Sequence, residues 1–181
     1  MKAYVVEKEA LSHNIELLQK MANGVPIWAV LKGNGYVIGV LPLARHLAEA
    51  GIDHFCVTEV REAELLRENG FEDAAVLMLR STGDPAELNR LMDLRVILTL
   101  GSWETACAIN AIAAERADVV EAHLKIDTGM GRYGFLPDEL DQLLPIFRYM
   151  PGLHVTGIYT HLHSAFCSQK ATIAQAEAFQ G

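Results

Sequence analysis

The sequence predicts an α/β protein, built as part of a (β/α)8 barrel with parallel strands. Three observations carry this expectation. Six short apolar runs, rich in β-branched residues, recur about every 20–35 residues. Segments with helical spacing stand between them, and strands alternating with helices mean βαβ units. Polar residues close several of the runs: Lys32, Thr58 with Glu59, Arg80, Lys125 with Asp127, and His161. In barrels, the C-terminal ends of strands are where sites are built.

The runs are 27–32, 54–58, 75–79, 96–100, 119–126 and 155–161. Their length and flanking Gly and Pro favour strand over buried helix. Between the first two, Leu41, Ala44, Leu47 and Ala48 recur at helical spacing and Gly51 closes the segment. The stretch 60–69 is charged on one face and ends at Gly70. Asp84 reads as an N-cap, Pro85 as the first helical residue and Glu87 as the capping-box partner. Ser102 precedes a helix over 103–115, and 137–149 makes the next, kinked or shortened by Pro145. One helix follows the sixth strand. Six strands do not close an eight-stranded barrel, and a typical barrel needs about 250 residues. The expectation is therefore that 1–181 is a partial barrel domain of a longer protein.

Composition narrows the function. The chain is 51% hydrophobic and 21% charged, which excludes disorder, collagen and coiled coil. Its formal net charge is −8, which disfavours nucleic acid and anionic lipid as partners. The N-terminus, Met1-Lys2-Ala3-Tyr4, reaches charge at once and has no signal-peptide apolar region. No run approaches the roughly 18 apolar residues of a membrane span. Cys56, Cys107 and Cys167 are odd in number and widely spaced, so they read as reduced, buried thiols of a cytoplasmic protein without disulfides.

Two segments carry chemistry. Lys32 closes the most apolar strand, where desolvation lowers an amine toward the range in which it bonds a carbonyl carbon. Tyr36 follows in a loop with glycines on both sides, suited to a phosphate. Gly33-x-Gly35 lacks the spacing of a dinucleotide fingerprint. The second segment is Lys125-Ile-Asp-Thr-Gly-Met-Gly-Arg-Tyr-Gly-Phe135, dense in glycine, with Arg132 as a fork for a carboxylate or phenolate oxygen. His161 and His163 alternate at period 2 and invite a metal reading, but no third ligand stands nearby, so no metal is expected. His123 and His154 read as core or surface histidines.

These segments resemble the alanine racemases. Ala29-Val-Leu-Lys-Gly-Asn-Gly-Tyr36 is similar to their cofactor-lysine motif AVVKANAYGHG, departing at Gly33, Gly35, Val37 and Ile38. Residues 125–135 match their second motif almost letter for letter, and Tyr159-Thr160-His161 resembles their sixth-strand motif. The resemblance implies a fold-type III barrel that binds pyridoxal 5′-phosphate (PLP), followed by a β-rich C-terminal domain absent from this chain, in a head-to-tail homodimer. It implies that Lys32 bonds the cofactor and acts as one of two acid–base groups, with Tyr36 a phosphate ligand. Arg132 would contact the cofactor's phenolic oxygen and the substrate carboxylate. Lys125 matches a position that is often carbamylated, and His161 a partner of the opposing catalytic tyrosine. The substrate would be a small amino acid, alanine or else serine.

Two other readings stand beside this one. The first is a non-catalytic PLP-binding protein of the same fold type. The second is the serine or alanine racemase module of a membrane-bound enzyme. With two barrel strands and the second base expected elsewhere, the 181-residue chain alone is expected to be inactive and to self-associate through strand edges and exposed apolar patches.

Overall fold

The computed structural model describes residues 5–181. Met1 to Tyr4, from which the absence of a signal peptide is read, lie outside the described residues. The chain forms two compact units, 1–80 with 93–96, and 81–92 with 97–181.

The first unit opens with α1 (Lys8–Ala22), which the apolar pattern does not announce. Ile15 is its one buried residue, while Leu17, Leu18 and Met21 face outward, so no clean amphipathic stripe marks it. Strands β1 (Trp28–Val30), β2 (His54–Val57) and β3 (Ala75–Met78) form a parallel sheet in that order. They alternate with a short turn of helix, α2 (Lys32–Tyr36), and with α3 (Val40–Glu49) and α4 (Val60–Arg67). Helix α3 ends before Gly51, whose φ of 80° supplies the left-handed stop that the sequence indicates. The core is β2 and β3, with Phe55, Val57, Val76 and Met78 fully buried.

Arg67, at the end of α4, ties this unit together. Its guanidinium donates to the carbonyls of Phe71, Ala74, Leu94 and Arg95 at 2.6–3.0 Å. Burial, with the neighbouring Arg95 adding to it, lowers its pKa below the ordinary arginine value. Five N–H groups in a fixed plane let one side chain satisfy several otherwise orphaned carbonyls.

The second unit holds the parallel sheet β4 (Leu98–Leu100), β5 (Val120–Lys125), β6 (Leu153–Tyr159). Its helices are α5 (Pro85–Asp93), α6 (Trp103–Glu115), α7 (Leu144–Tyr149) and α8 (Gln169–Gln180). Glu87 N–H donates to Asp84 Oδ1 at 2.9 Å, as an N-cap requires. The Glu87 carboxylate accepts from the Thr82 hydroxyl, so the cap draws in a residue beyond the expected box. Ser102 and Thr105 make a reciprocal capping box at the start of α6. The expected helix over 137–149 divides into a 3-10 segment, Pro137–Leu143, and α7, with Pro145 in the first turn of α7. A proline is tolerated there because its missing N–H has no intrahelical partner to lose.

A bulge between Ala122 and His123 shifts the β5–β6 register, and Gly157 then sits beneath the His123 ring. Any Cβ at Gly157 would lie 2.6–2.7 Å from that ring. His123 is half-buried, and burial lowers its pKa. Strand β6 alternates half-buried and exposed residues, with Ile158 53% exposed, whereas β5 is mostly buried. Of the cysteines expected to be buried, Cys56 is, and burial pushes its thiol up to about 12, but Cys107 and Cys167 are exposed free thiols.

Candidate functional site

Lys32 and Tyr36 belong to the first unit, and Lys125, Arg132 and His161 to the second. Lys32 does not close a strand as the apolar pattern indicates. The ladder ends where Leu31 N–H donates to Cys56 O at 2.8 Å, and Lys32 opens a turn of left-handed helix. Gly33, Asn34 and Gly35 have φ of 62°, 54° and 60°, and Tyr36 follows at 53°. Left-handed backbone costs an L-residue about 1–2 kcal/mol, so Asn34 and Tyr36 need support. Local bonds give part of it: Gly35 N–H to Leu31 O at 2.7 Å and Val37 N–H to Gly33 O at 3.1 Å. Glu62, on α4 and 5% exposed, gives the rest. Its Oε1 accepts from Asn34 N–H at 2.9 Å, and its Oε2 from Thr58 and Glu59 N–H. One buried carboxylate thus joins the Lys32 turn to the end of β2.

Lys32 is half-buried and takes part in no ion pair among the described residues. Tyr36 is 56% exposed. A half-buried amine four residues before an exposed phenol is a pair of side chains that fits the aldehyde and phosphate of PLP. A cavity of about 380 Å³ opens at the other ends of β1 and β2, lined by residues that include Gln19, Pro26, Ile52 and His54 but neither Lys32 nor Tyr36.

In the second unit, Lys125 is the last residue of β5 and 2% exposed. Its Nζ donates to Ile126 O at 2.8 Å and lies 5.9 Å and 5.8 Å from the ring centres of Tyr133 and Tyr159. Burial lowers its pKa, Asp127 opposes this and Arg132 reinforces it. Asp127 shapes the loop that follows. Its Oδ1 accepts from Gly129 and Met130 N–H at 2.9 and 2.7 Å, and its Oδ2 from Arg132 N–H at 3.0 Å. Burial alone would raise its pKa, but the N–H groups of Gly129, Gly131, Arg132 and Met130 hold it below the ordinary carboxylate value. Gly134 closes the loop at φ 126°, where a Cβ would meet Asp127 N and Lys125 O at 2.8 and 2.9 Å. Arg132 is exposed, its guanidinium 5.1 Å from the centre of the Tyr133 ring.

His161 lies beyond β6, which ends at Tyr159, and it is exposed. The period-2 relation to His163 therefore fails: His163 sits in a turn, its Nδ1 paired with the Ser164 hydroxyl. Among the described residues no group of three His, Cys, Asp or Glu could hold a metal ion, and no helix is long and apolar enough to cross a membrane.

Sequence reasoning missed Glu62, the loop-holding role of Asp127, and Gln175. For Asp127 the signal was present, since Asp followed by Thr-Gly-x-Gly marks a carboxylate that caps its own loop. Glu62 stands at the capping-box position of α4, a local signal for its bond to Glu59 N–H, but nothing local marks its reach to Asn34 or the bonds of Gln175.

The sequence matches the family described as alanine racemase, N-terminal domain, over residues 6–181. The alanine racemase of Desulforamulus reducens is 38% identical over 163 residues, covering 88% of this chain and 43% of its own. Among solved structures, alanine racemase from Bacillus anthracis with bound L-Ala-P superposes with a TM-score of 0.85 at 27% identity, covering 99% of this chain and 48% of that one. A histidine racemase from Leuconostoc mesenteroides has a TM-score of 0.86 at 23% identity, covering 96% of this chain and 46% of that one, a likeness of fold alone. The chain spans less than half the length of these relatives. The α/β fold with parallel strands is the barrel-type fold of these enzymes, in part. With its lysine turn, its aspartate-held glycine loop and a match along nearly its whole length, the chain belongs to the alanine racemase family, as its N-terminal domain.

Proposed function

We propose that this chain carries the lysine side of a PLP-dependent racemase that interconverts L- and D-alanine. The observation that carries the reading is the half-buried Lys32, without an ion-pair partner among the described residues and opening a strained turn held by Glu62. Strain supported from outside the turn is the mark of a site whose geometry matters. The nature of the relatives supports the substrate: they are named alanine racemases, and one solved relative is described with bound L-Ala-P.

Lys32 holds the cofactor, and its Nζ takes and returns a proton on one face of the substrate Cα. Tyr36 would hold the cofactor phosphate through a hydrogen bond donated by its hydroxyl. PLP, when bound, supplies an electron sink that acidifies the α-hydrogen. Arg132 would hold the substrate carboxylate and the cofactor's phenolic oxygen, its main chain fixed by Asp127. Lys125 suits carbamylation: burial favours the neutral amine, which adds to carbon dioxide and releases a proton, leaving a carboxylate beside Arg132. His161 supports an opposing tyrosine that works on the second face. A homodimer in the cytoplasm, joined to a β-rich C-terminal domain, completes the reading, and the exposed free thiols Cys107 and Cys167 are in keeping with a reducing compartment.

The test is racemisation itself. The complete protein with PLP and L-alanine forms D-alanine, and Lys32→Ala abolishes both this and the visible absorbance of bound cofactor. Tyr36→Phe weakens PLP binding by about 1 kcal/mol. Racemisation that survives Lys32→Ala, or its absence from the wild type, overturns the assignment.

A further inference from the structure

Gln175 lies on α8, a helix that contributes none of the residues given a role above, and is 4% exposed. A buried amide needs partners at both ends. Its Nε2 donates to the Thr128 hydroxyl at 3.2 Å and to the His161 carbonyl at 3.2 Å. Its Oε1 accepts from His163 N–H at 3.0 Å. Thr128 begins the loop that Asp127 holds, and its hydroxyl also meets that of Thr160 at 2.8 Å. A Cβ at Gly129 would lie 3.6 Å from the Gln175 side chain, so the loop packs against this residue. One amide therefore joins the segment after β5 to the segment after β6.

We propose that Gln175 is a positioning residue for the racemase reaction, fixing the main chain at His161 against the loop that carries Arg132. This rests on the functional reading above, in which His161 and Arg132 serve the reacting groups. Neither segment has regular structure of its own at these points, and beside the Thr128–Thr160 contact the amide is what holds His161 to the loop. The bonds of Gln175 reach Thr128 and His161, while the main chain of Arg132 is held separately by Asp127. Loss of the amide therefore acts on proton transfer through His161 more than on binding of the substrate carboxylate.

The experiment uses the complete protein with PLP and alanine in four forms: wild type, Gln175→Met, His161→Ala and the double variant. Methionine fills the space without the hydrogen bonds. Gln175→Met lowers kcat about tenfold and leaves KM unchanged, and it causes no further loss in the His161→Ala background. Gln175→Glu, which keeps the size and the acceptor but removes the donors, gives the same loss if the methionine variant does not fold. Amide hydrogen exchange at His163 speeds up in Gln175→Met, which loses the acceptor, and exchange across 128–132 speeds up in either variant, with β1–β3 unaffected. Equal losses in both backgrounds, a rise in KM with kcat unchanged, unaltered exchange at His163 in Gln175→Met, or unaltered exchange across 128–132 in Gln175→Glu overturns the proposal. A wild type without Lys32-dependent racemisation overturns the functional reading instead, and exchange at His163 then decides alone whether Gln175 makes this tie.

Discussion

Two loops follow parallel strands in this molecule, and a single buried carboxylate holds each of them. In the second unit Asp127 belongs to the loop it shapes and gathers N–H groups from the next five residues. In the first unit the turn at Lys32 is held by Glu62, which lies on another helix, 28 residues from the Asn34 it bonds. The difference is between a local device and a tertiary one. A loop that carries its own carboxylate can form as soon as its backbone bends. The Lys32 turn, with Asn34 and Tyr36 in left-handed conformation, depends on α4 being docked.

The largest expected effect tests the local device. Asp127→Ala leaves three backbone N–H groups without their acceptor and should cost about 3 kcal/mol in denaturant unfolding. The same carboxylate gives a pH signature. Its folded pKa lies below the unfolded value of about 3.9. Its contribution is therefore fully present above that unfolded value and is lost as pH falls through the folded one. Unfolding followed from pH 6 downward should show this loss in the wild type and a smaller one in Asp127→Asn. Equal acid sensitivity would mean that the carboxylate charge does not hold the loop.

A smaller effect tests the tertiary device. Glu62→Gln keeps one acceptor but sets amide hydrogens against the N–H groups that Oε1 or Oε2 now accepts, at a cost of about 2 kcal/mol. Amide exchange should quicken in two places distant in sequence, at Asn34 and at Thr58 with Glu59. Asp127 variants should quicken exchange only within 128–134. If Glu62→Gln affects only α4, the contrast between the loops collapses. The smallest expected change is Gly131→Ala, at φ 68° with open space around the Cβ, and about 1 kcal/mol of backbone strain is its whole effect. Gly33→Ala meets the same open space at φ 62°. A distinctly larger loss there would show how little slack the lysine turn has.

The glycine loop was readable because its parts are consecutive: strand end, Asp, then glycines at the positions that need positive φ. The strand–helix alternation was readable for a similar reason, since burial against one sheet imposes a local period. The caps at Asp84 and Ser102 likewise lie within three residues of the groups they bond. Helix α1 was not read, because Ile15 is its one buried residue and Leu17, Leu18 and Met21 face outward, so its apolar residues do not mark the covered side.

The sequence by itself determined the alternation of strands and helices, the glycine-rich loop after β5, and the places of Lys32, Lys125 and Arg132 just at or beyond strand ends. Each of these follows from short-range pattern and residue type. Tertiary structure decided the left-handed turn at Lys32, the end of β6 before His161, and the ties made by Glu62, Arg67 and Gln175. A buried polar group must find partners wherever packing brings them, and the residues that packing brings together are not neighbours in the chain.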